Sequence, residues 1–226
     1  NTDARLVAMW ADFVDWDKKK KGKEYPTLEL WFRQHGCTKI FDASAGHGFD
    51  AVYLAQRGFT ITANELDDGF REACIQNAET NGVRLELTRF DWRDIPDSLA
   101  GTYDAVYCLG NSLTYLLERE DQVRAVKNLA KLVRIGGIVV IDHRNYEYML
   151  KERENILQNS RTNFRFKREC CYYGDKVSGY PIDISEERVV MEWAHSGTGI
   201  RTKMPLYPVI REEMKKIMEA SGVEVK

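Results

Sequence analysis

The chain has 226 residues, 43% of them hydrophobic and 30% charged, with a formal net charge of -2. That length can bury one sizeable core and predicts one domain with an elaboration, and the near-neutral balance gives no broad electrostatic case for a nucleic-acid or anionic-membrane partner. No apolar run approaches the ~18 residues of a membrane span, and no signal-peptide pattern opens the chain. Five cysteines without a CxxC pair form neither a disulfide framework nor a zinc site, which fits a cytoplasmic protein that carries no metal. Cys170 and Cys171 are expected on opposite faces of a strand, because neighbouring strand side chains point apart. The first residue is not Met and the last four read as the start of a strand, so both ends are expected to be trimmed.

In chain order, Leu6, Val7, Met9, Trp10, Phe13, Val14 and Trp16 repeat with a helical period. A lysine run, Lys18 to Lys21, follows and reads as a solvated helix end. A short helix is expected over 27–34, with Pro26 at its start. Strands are then expected at 39–43, 59–64, 84–88, 104–109 and 138–142. Helices stand between them, one beginning after the glycine turn at 46–48, others over 67–81 and 119–133, the last closed by Gly136-Gly137. Such alternation predicts an α/β fold with a mostly parallel sheet covered on both faces. Beyond position 161 the pattern changes. Segments 164–168 and 188–193 read as antiparallel strands, with a turn-rich stretch at 174–181 between them, and the helical period returns over 210–220.

In an open parallel sheet, ligands bind outside the carboxyl ends of the strands at the topological switch point. Gly46 and Gly48 stand in the turn after the first strand, where they let backbone approach a ligand closely. Glu65 ends the second strand, nineteen residues after Gly46, where a carboxylate accepts from both ribose hydroxyls. Asp91 and Trp92 follow the third strand, an acceptor for an adenine amine beside a flat apolar surface. Leu109 ends the fourth. A dinucleotide enzyme of the NAD type is the rival, since Gly46 to Ala51 fits Gly-x-Gly-x-x-Ala and Glu65 would serve that ribose equally well. Asp42 argues against it, because a carboxylate there would repel a pyrophosphate and attract the ammonium of a methionine tail. The sequence therefore favours a sulfonium cofactor, S-adenosyl-L-methionine.

The strings Cys108-Leu109-Gly110-Asn111-Ser112 and Asp142-His143-Arg144-Asn145-Tyr146 resemble the glycine N-methyltransferase family, most of all its glycine/sarcosine members. Arg33 to Cys37 and the Trp10…Phe13-Val14-Asp15-Trp16 opening carry the same likeness, which covers about Trp10 to Leu150. The resemblance implies a Rossmann-like class I methyltransferase fold and N-methylation of glycine and sarcosine, toward betaine. It implies cofactor contacts from Trp10, Ser44, Glu65, Asp91, Trp92 and Leu109, and substrate contacts from Asn111 and Arg144. The family usually has Ala at the position of Ser44, and an arginine on the cofactor carboxylate where this chain offers only Lys18 to Lys21. Which of these lysines substitutes, if any, is open, with Lys20 placed among the cofactor contacts, and lysine loses the bidentate geometry.

Methyl transfer from a sulfonium needs orientation more than a strong base, and Arg144 is expected to clamp the substrate carboxylate. His143 could accept the amine proton, although a packed histidine is the plainer reading. Tyr172, Tyr173, Trp193 and Tyr207 could line the substrate pocket, their ring faces suiting a methylated cation. The expected organisation is one domain. Residues 1–35 form a helical segment over the cofactor, 36–150 the cofactor-binding core, 151–207 an antiparallel insertion or lid, and 208–226 a return to the core. The expected product is S-adenosyl-L-homocysteine, and a homo-oligomer is compatible with the chain. A methyltransferase for another small amine, and a cofactor-binding regulator without turnover, are the alternatives.

Overall fold

The computed structural model describes residues 2–159 and 170–225. Five segments rich in β-branched and aromatic residues form one parallel sheet: β1 (Lys39–Asp42), β2 (Thr60–Asn64), β3 (Glu86–Thr88), β4 (Tyr103–Cys108) and β5 (Val133–Ile141). Their order is β3-β2-β1-β4-β5, so the chain reverses direction across the sheet between β1 and β4. Parallel neighbours require crossovers, and these lay helices on both faces. On one face Ile40, Ala105 and Tyr107 pack against α3 (Glu24–Gln34), α4 (Phe49–Gln56) and α5 (Asp68–Thr80). On the other, Phe41, Val106 and Cys108 pack against α6 (Arg119–Leu132) and the core it shares with α7 (Tyr146–Lys151), α8 (Arg153–Asn159) and α9 (Arg211–Ala220).

Local chemistry explains the element ends. Asp67 caps α5 by accepting from the backbone N–H groups of Gly69 and Phe70, 2.9 and 3.2 Å away. α3 begins at Glu24, three residues before the expected start, because proline is tolerated within a first helical turn. The pair Gly136-Gly137 does not close a helix. α6 ends at Leu132 and β5 runs straight on, with its register to β4 shifting between Tyr103 and Ala105. Gly137 passes so close to β4 that a Cβ there would lie 2.3 Å from the Asp104 carbonyl oxygen.

A second, antiparallel sheet holds β6 (Tyr172–Tyr173), β7 (Val177–Ile184), β8 (Val189–His195) and β9 (Arg201–Leu206) in sequence order. The stretch 178–181, expected as turn, is strand. Gly179 faces Trp193 on β8, and a Cβ there would sit 2.3 Å from the indole, so the glycine exists to let that ring lie across the neighbouring strand. Pro181 is accommodated beside a register shift between Pro181 and Asp183, the bulge a proline inside a sheet requires. The expected strand at 164–168 lies outside the described residues, and 151–159, expected within an antiparallel segment, is helical. Cys170 and Cys171 precede β6 rather than alternating on a strand. Both are buried and their sulfurs approach to 3.6 Å. No helix among the described residues is long and apolar enough to cross a membrane, and none of their His, Cys, Asp and Glu groups forms a cluster that could hold a metal.

The chain ahead of β1 folds back over the sheet edge. α1 (Ala4–Val14) lies between α5 and β7, and α2 (Trp16–Lys21) follows it. Asp12 on α1 pairs with Lys176 at 2.6 Å and with His195 Nε2 at 3.0 Å. The other ring nitrogen, Nδ1, accepts from the N–H groups of Gly197 and Thr198, so Nε2 carries the proton that Asp12 receives. Trp10 and Phe13 meet Trp193 edge-on at 4.9 and 4.6 Å between ring centres. Charge pairing and ring contacts together tie α1 to the second sheet.

Candidate cofactor and substrate site

One cavity of about 470 Å³ opens at the carboxyl ends of β1 to β5, beneath α1 and the second sheet. Ten of the residues expected from the sequence line it: Trp10, Ser44, Gly46, Glu65, Asp91, Trp92, Leu109, Asn111, Arg144 and Trp193. They come from every strand end of the parallel sheet and from both covering elements.

The end nearest β1 and β2 is built from polar groups already fixed by the fold. Glu65 accepts from the Gly46 N–H through Oε2 and from the Asp67 N–H through Oε1, each at 2.9 Å. Both oxygens keep a lone pair for a ligand's hydroxyls. Burial pushes its carboxyl above the usual range, against the pull of those two N–H groups. Asn64, also on the wall, is a staple between three strand ends. Its amide donates to the carbonyls of Ala43 and Phe90, while its oxygen accepts from the Thr88 hydroxyl and the Phe90 N–H. The Trp92 indole donates to the Ala43 carbonyl at 2.7 Å, which fixes the ring as a flat wall. Asp91 is gripped by Arg93, which also reaches Asp121.

Seven expected site residues lie off the cavity wall, among them Tyr172, which instead underlies the Arg144 guanidinium. Asp42 is buried under the turn, accepting from the Tyr107 hydroxyl at 2.9 Å and the Ser44 N–H at 3.0 Å. Burial and the nearby Asp50 push its carboxyl up to about 8. It braces the turn from beneath and is not part of the cavity wall. Gly48 is the first-turn glycine of α4, at φ +75°, and its missing Cβ makes room for the Cys74 sulfur. Lys20 points away, paired with Asp17 and lying over the Trp16 ring. Its neighbour Lys19 lines the cavity instead, because one residue turns a helix by about 100°. Lys19 bonds Asp50 at 2.9 Å and Glu24 at 3.1 Å. Burial alone would lower its ammonium, and the two carboxylates more than offset that. His143 turns Nδ1 to the Arg144 carbonyl. Tyr207 donates its hydroxyl to Glu213, and Tyr173 packs into the core beside Cys171.

The end nearest β4 and β5 differs. Asn111 sits at φ +65° after β4, a conformation asparagine tolerates better than most residues. Its side-chain oxygen accepts from the Arg144 N–H at 3.0 Å and the Tyr146 hydroxyl at 3.1 Å, and its amide donates to Thr114 at 2.8 Å. It therefore holds the backbone of Arg144 in place. The Arg144 guanidinium lies over the Tyr172 ring at 4.8 Å and the Trp193 ring at 5.9 Å. Its Nε is buried without a hydrogen-bond partner among the described residues. Leu116, Met204 and Leu206 complete an apolar surround.

The charges divide accordingly. Asp50, Glu65, Asp67 and Asp91 line the first end, where both cations, Lys19 and Arg93, are already paired. Among the described residues the carboxylates of this end outnumber its cations, so it suits a ligand that carries positive charge and disfavours a pyrophosphate. That, rather than Asp42, is the electrostatic argument against a dinucleotide. Sequence reasoning missed Phe13, His47, Asp50, Asn64 and Tyr115 on the wall and left Lys19 undistinguished among four lysines. Asn64 had a readable signal, a polar residue closing an apolar strand. His47 had none: its ring bonds the Val7 carbonyl on α1 at 2.8 Å, a contact between distant segments.

Residues 40–137 match the family model described as a methyltransferase domain. The chain is 33% identical over 162 residues to the glycine N-methyltransferase of Homo sapiens, covering 66% of this chain and 55% of that protein. It is 27% identical over 220 residues to the glycine/sarcosine/dimethylglycine N-methyltransferase of Actinopolyspora halophila, covering 97% of this chain and 37% of that protein. The chain thus spans about half or less of the length of these two relatives. A crystal structure of an S-adenosylmethionine-dependent methyltransferase from Clostridium acetobutylicum superposes with a TM-score of 0.70 at 13% identity, over 96% of this chain and 86% of that one. Parallel sheet, strand-end cavity and family match define a methyltransferase domain with the fold of class I S-adenosylmethionine-dependent methyltransferases. Its curated relatives within that class are glycine and glycine/sarcosine N-methyltransferases.

Proposed function

We propose that this protein transfers the methyl group of S-adenosyl-L-methionine to the amine nitrogen of glycine and of sarcosine. The observation that carries the reading is Arg144: among the described residues lining the cavity, it is the cation without a carboxylate partner. A guanidinium fixed by its backbone and by two ring faces, with its buried Nε donor left over, calls for a planar anion, and a substrate carboxylate supplies one.

The residues at the other end fit the cofactor. Glu65 has free lone pairs for two ribose hydroxyls, Trp92 offers a fixed flat face, and the Ser44–Gly46 backbone permits close approach. Lys19 would meet the methionine carboxylate while Asp50 faces the ammonium. When bound, S-adenosylmethionine supplies an electrophilic methyl on a cationic sulfur. Arg144 holds the substrate carboxylate, so that the neutral amine lies on the S–CH3 axis, and Trp10, Phe13 and Trp193 exclude water from above. The nitrogen lone pair forms the new N–C bond as the S–C bond breaks. Its electrons stay on sulfur, and the product ammonium releases one proton to water.

The test is incubation with labelled S-adenosylmethionine and glycine, sarcosine or dimethylglycine in separate reactions. Label is expected in sarcosine and dimethylglycine. Transfer to none of the three acceptors would reject the substrate assignment, and cofactor binding measured alongside would show whether the cofactor assignment falls with it.

A further inference from the structure

The proposed reading assigns a group to the substrate carboxylate but none to the amine, the atom that must be aimed. The amine cannot rest against Arg144, which is a donor and a cation. Around it, the side-chain acceptors are mostly spent. Asn111 uses its oxygen twice within the protein, and the Ser112 hydroxyl, whose oxygen keeps lone pairs, is held by donating to the Leu109 carbonyl at 2.7 Å. Leu116, Trp193, Met204 and Leu206 offer no acceptor.

Tyr115 is different. It ends the 3-10 turn Ser112–Tyr115, a segment held rigidly: Thr114 bonds Asn111 and Tyr146, and its carbonyl accepts the Tyr207 N–H at 2.8 Å. Its ring is 43% exposed and forms part of the cavity wall, and its hydroxyl makes no hydrogen bond among the described residues. Burial pushes the phenol up to about 12 even though the positive charge of Arg144 pulls the other way. A phenol in that state stays protonated, so it cannot serve as a base, but its oxygen keeps lone pairs for an N–H donor.

We propose that Tyr115 is a substrate-contacting residue whose hydroxyl oxygen accepts a hydrogen bond from the amine of the amino-acid substrate while Arg144 holds its carboxylate. The inference rests on the proposed amino-acid reading of the site. Two anchors a short distance apart fix both ends of an α-amino acid and turn its lone pair toward the methyl donor, which a simple amine lacking a carboxylate would forgo.

Tyr115→Phe removes the acceptor and keeps the ring. The expected result is a glycine KM raised about tenfold, the loss of one hydrogen bond, with cofactor Kd within about twofold and an unchanged thermal midpoint. Glycine binding in the presence of S-adenosylhomocysteine, followed by fluorescence of Trp10 and Trp193, should weaken by the same factor. Unchanged KM and unchanged glycine binding, in a protein whose wild type methylates glycine, would overturn the role of Tyr115 and leave the function standing. A lowered midpoint with both KM values raised would assign Tyr115 to structure and overturn it too. A wild type that neither binds nor methylates glycine would overturn both.

Discussion

The two ends of the cavity are built by different means. At the β1–β3 end, polar groups meet a ligand from positions locked by backbone and side-chain hydrogen bonds, as with Glu65, Asn64 and Trp92. At the β4–β5 end, one guanidinium sits among rings contributed by the second sheet, under helix α1. The first end is a product of parallel-sheet topology, which brings consecutive strand ends to one edge whatever the loops contain. The second depends on segments far apart in the chain meeting across the top of that edge. On the proposed reading, binding the cofactor belongs to the scaffold, and choosing the acceptor belongs to its cover.

Separating the two ends by mutation is the way to break this contrast. The largest effect is expected from Glu65→Gln, which removes the charge from two hydroxyl contacts. At roughly 1.5 kcal/mol or more for each charged hydrogen bond, cofactor Kd should rise about 100-fold by calorimetric titration. Glycine KM at saturating cofactor should stay within about threefold. A comparable rise in both constants would mean the ends are not separate.

Trp193→Ala attacks the cover. It removes one face from Arg144 and the edge contacts with Trp10 and Phe13. Glycine KM should rise about tenfold, from ring interactions of roughly 0.5–1.5 kcal/mol each, with cofactor Kd changed less. Equal affinity for both ligands before and after the change would show that the rings merely pack.

The smallest effect on ligand affinity concerns Asp42, the strand-end carboxylate that braces the turn from below. Its folded-state pKa of about 8 lies above the ordinary carboxylate value, so the folded chain holds more protons than the unfolded one between pH 4 and 8. Stability must therefore fall as pH rises through that window, by at most about 1.4 kcal/mol per pH unit from this group. Asp42→Asn removes the dependence. Urea unfolding at pH 5 and pH 8 should show the wild type losing stability relative to the variant, while cofactor Kd shifts far less than in Glu65→Gln. Parallel pH curves for the two proteins would contradict the account of Asp42.

The same contrast explains what could be read in the sequence. Glu65, Asp91 and Leu109 were legible because strand and helix periods locate strand ends, and topology sends those ends to one place. Lys19 was not, since four consecutive lysines look alike until the helix phase decides which one turns inward. Asp42 stood at a strand end too, yet it lies just below the turn and faces the Tyr107 hydroxyl instead of the cavity. Pairing in the second sheet was hidden for another reason. Gly179 and Pro181 carry turn chemistry locally, and only their partners Trp193 and Met191 turn them into strand. Tyr207 and Tyr173 were chosen by residue type, and a tyrosine's type says nothing about which neighbour its hydroxyl finds.

The central claim is that Arg144 selects the acceptor by its carboxylate while the rest of the cavity serves the cofactor. Steady-state kinetics of Arg144→Lys tests it most directly, because lysine keeps the charge and loses the planar two-point grip. The account predicts a glycine KM raised by about 50-fold or more, equivalent to roughly 2.3 kcal/mol, at unchanged cofactor Kd. A glycine KM equal to that of the wild type would contradict it.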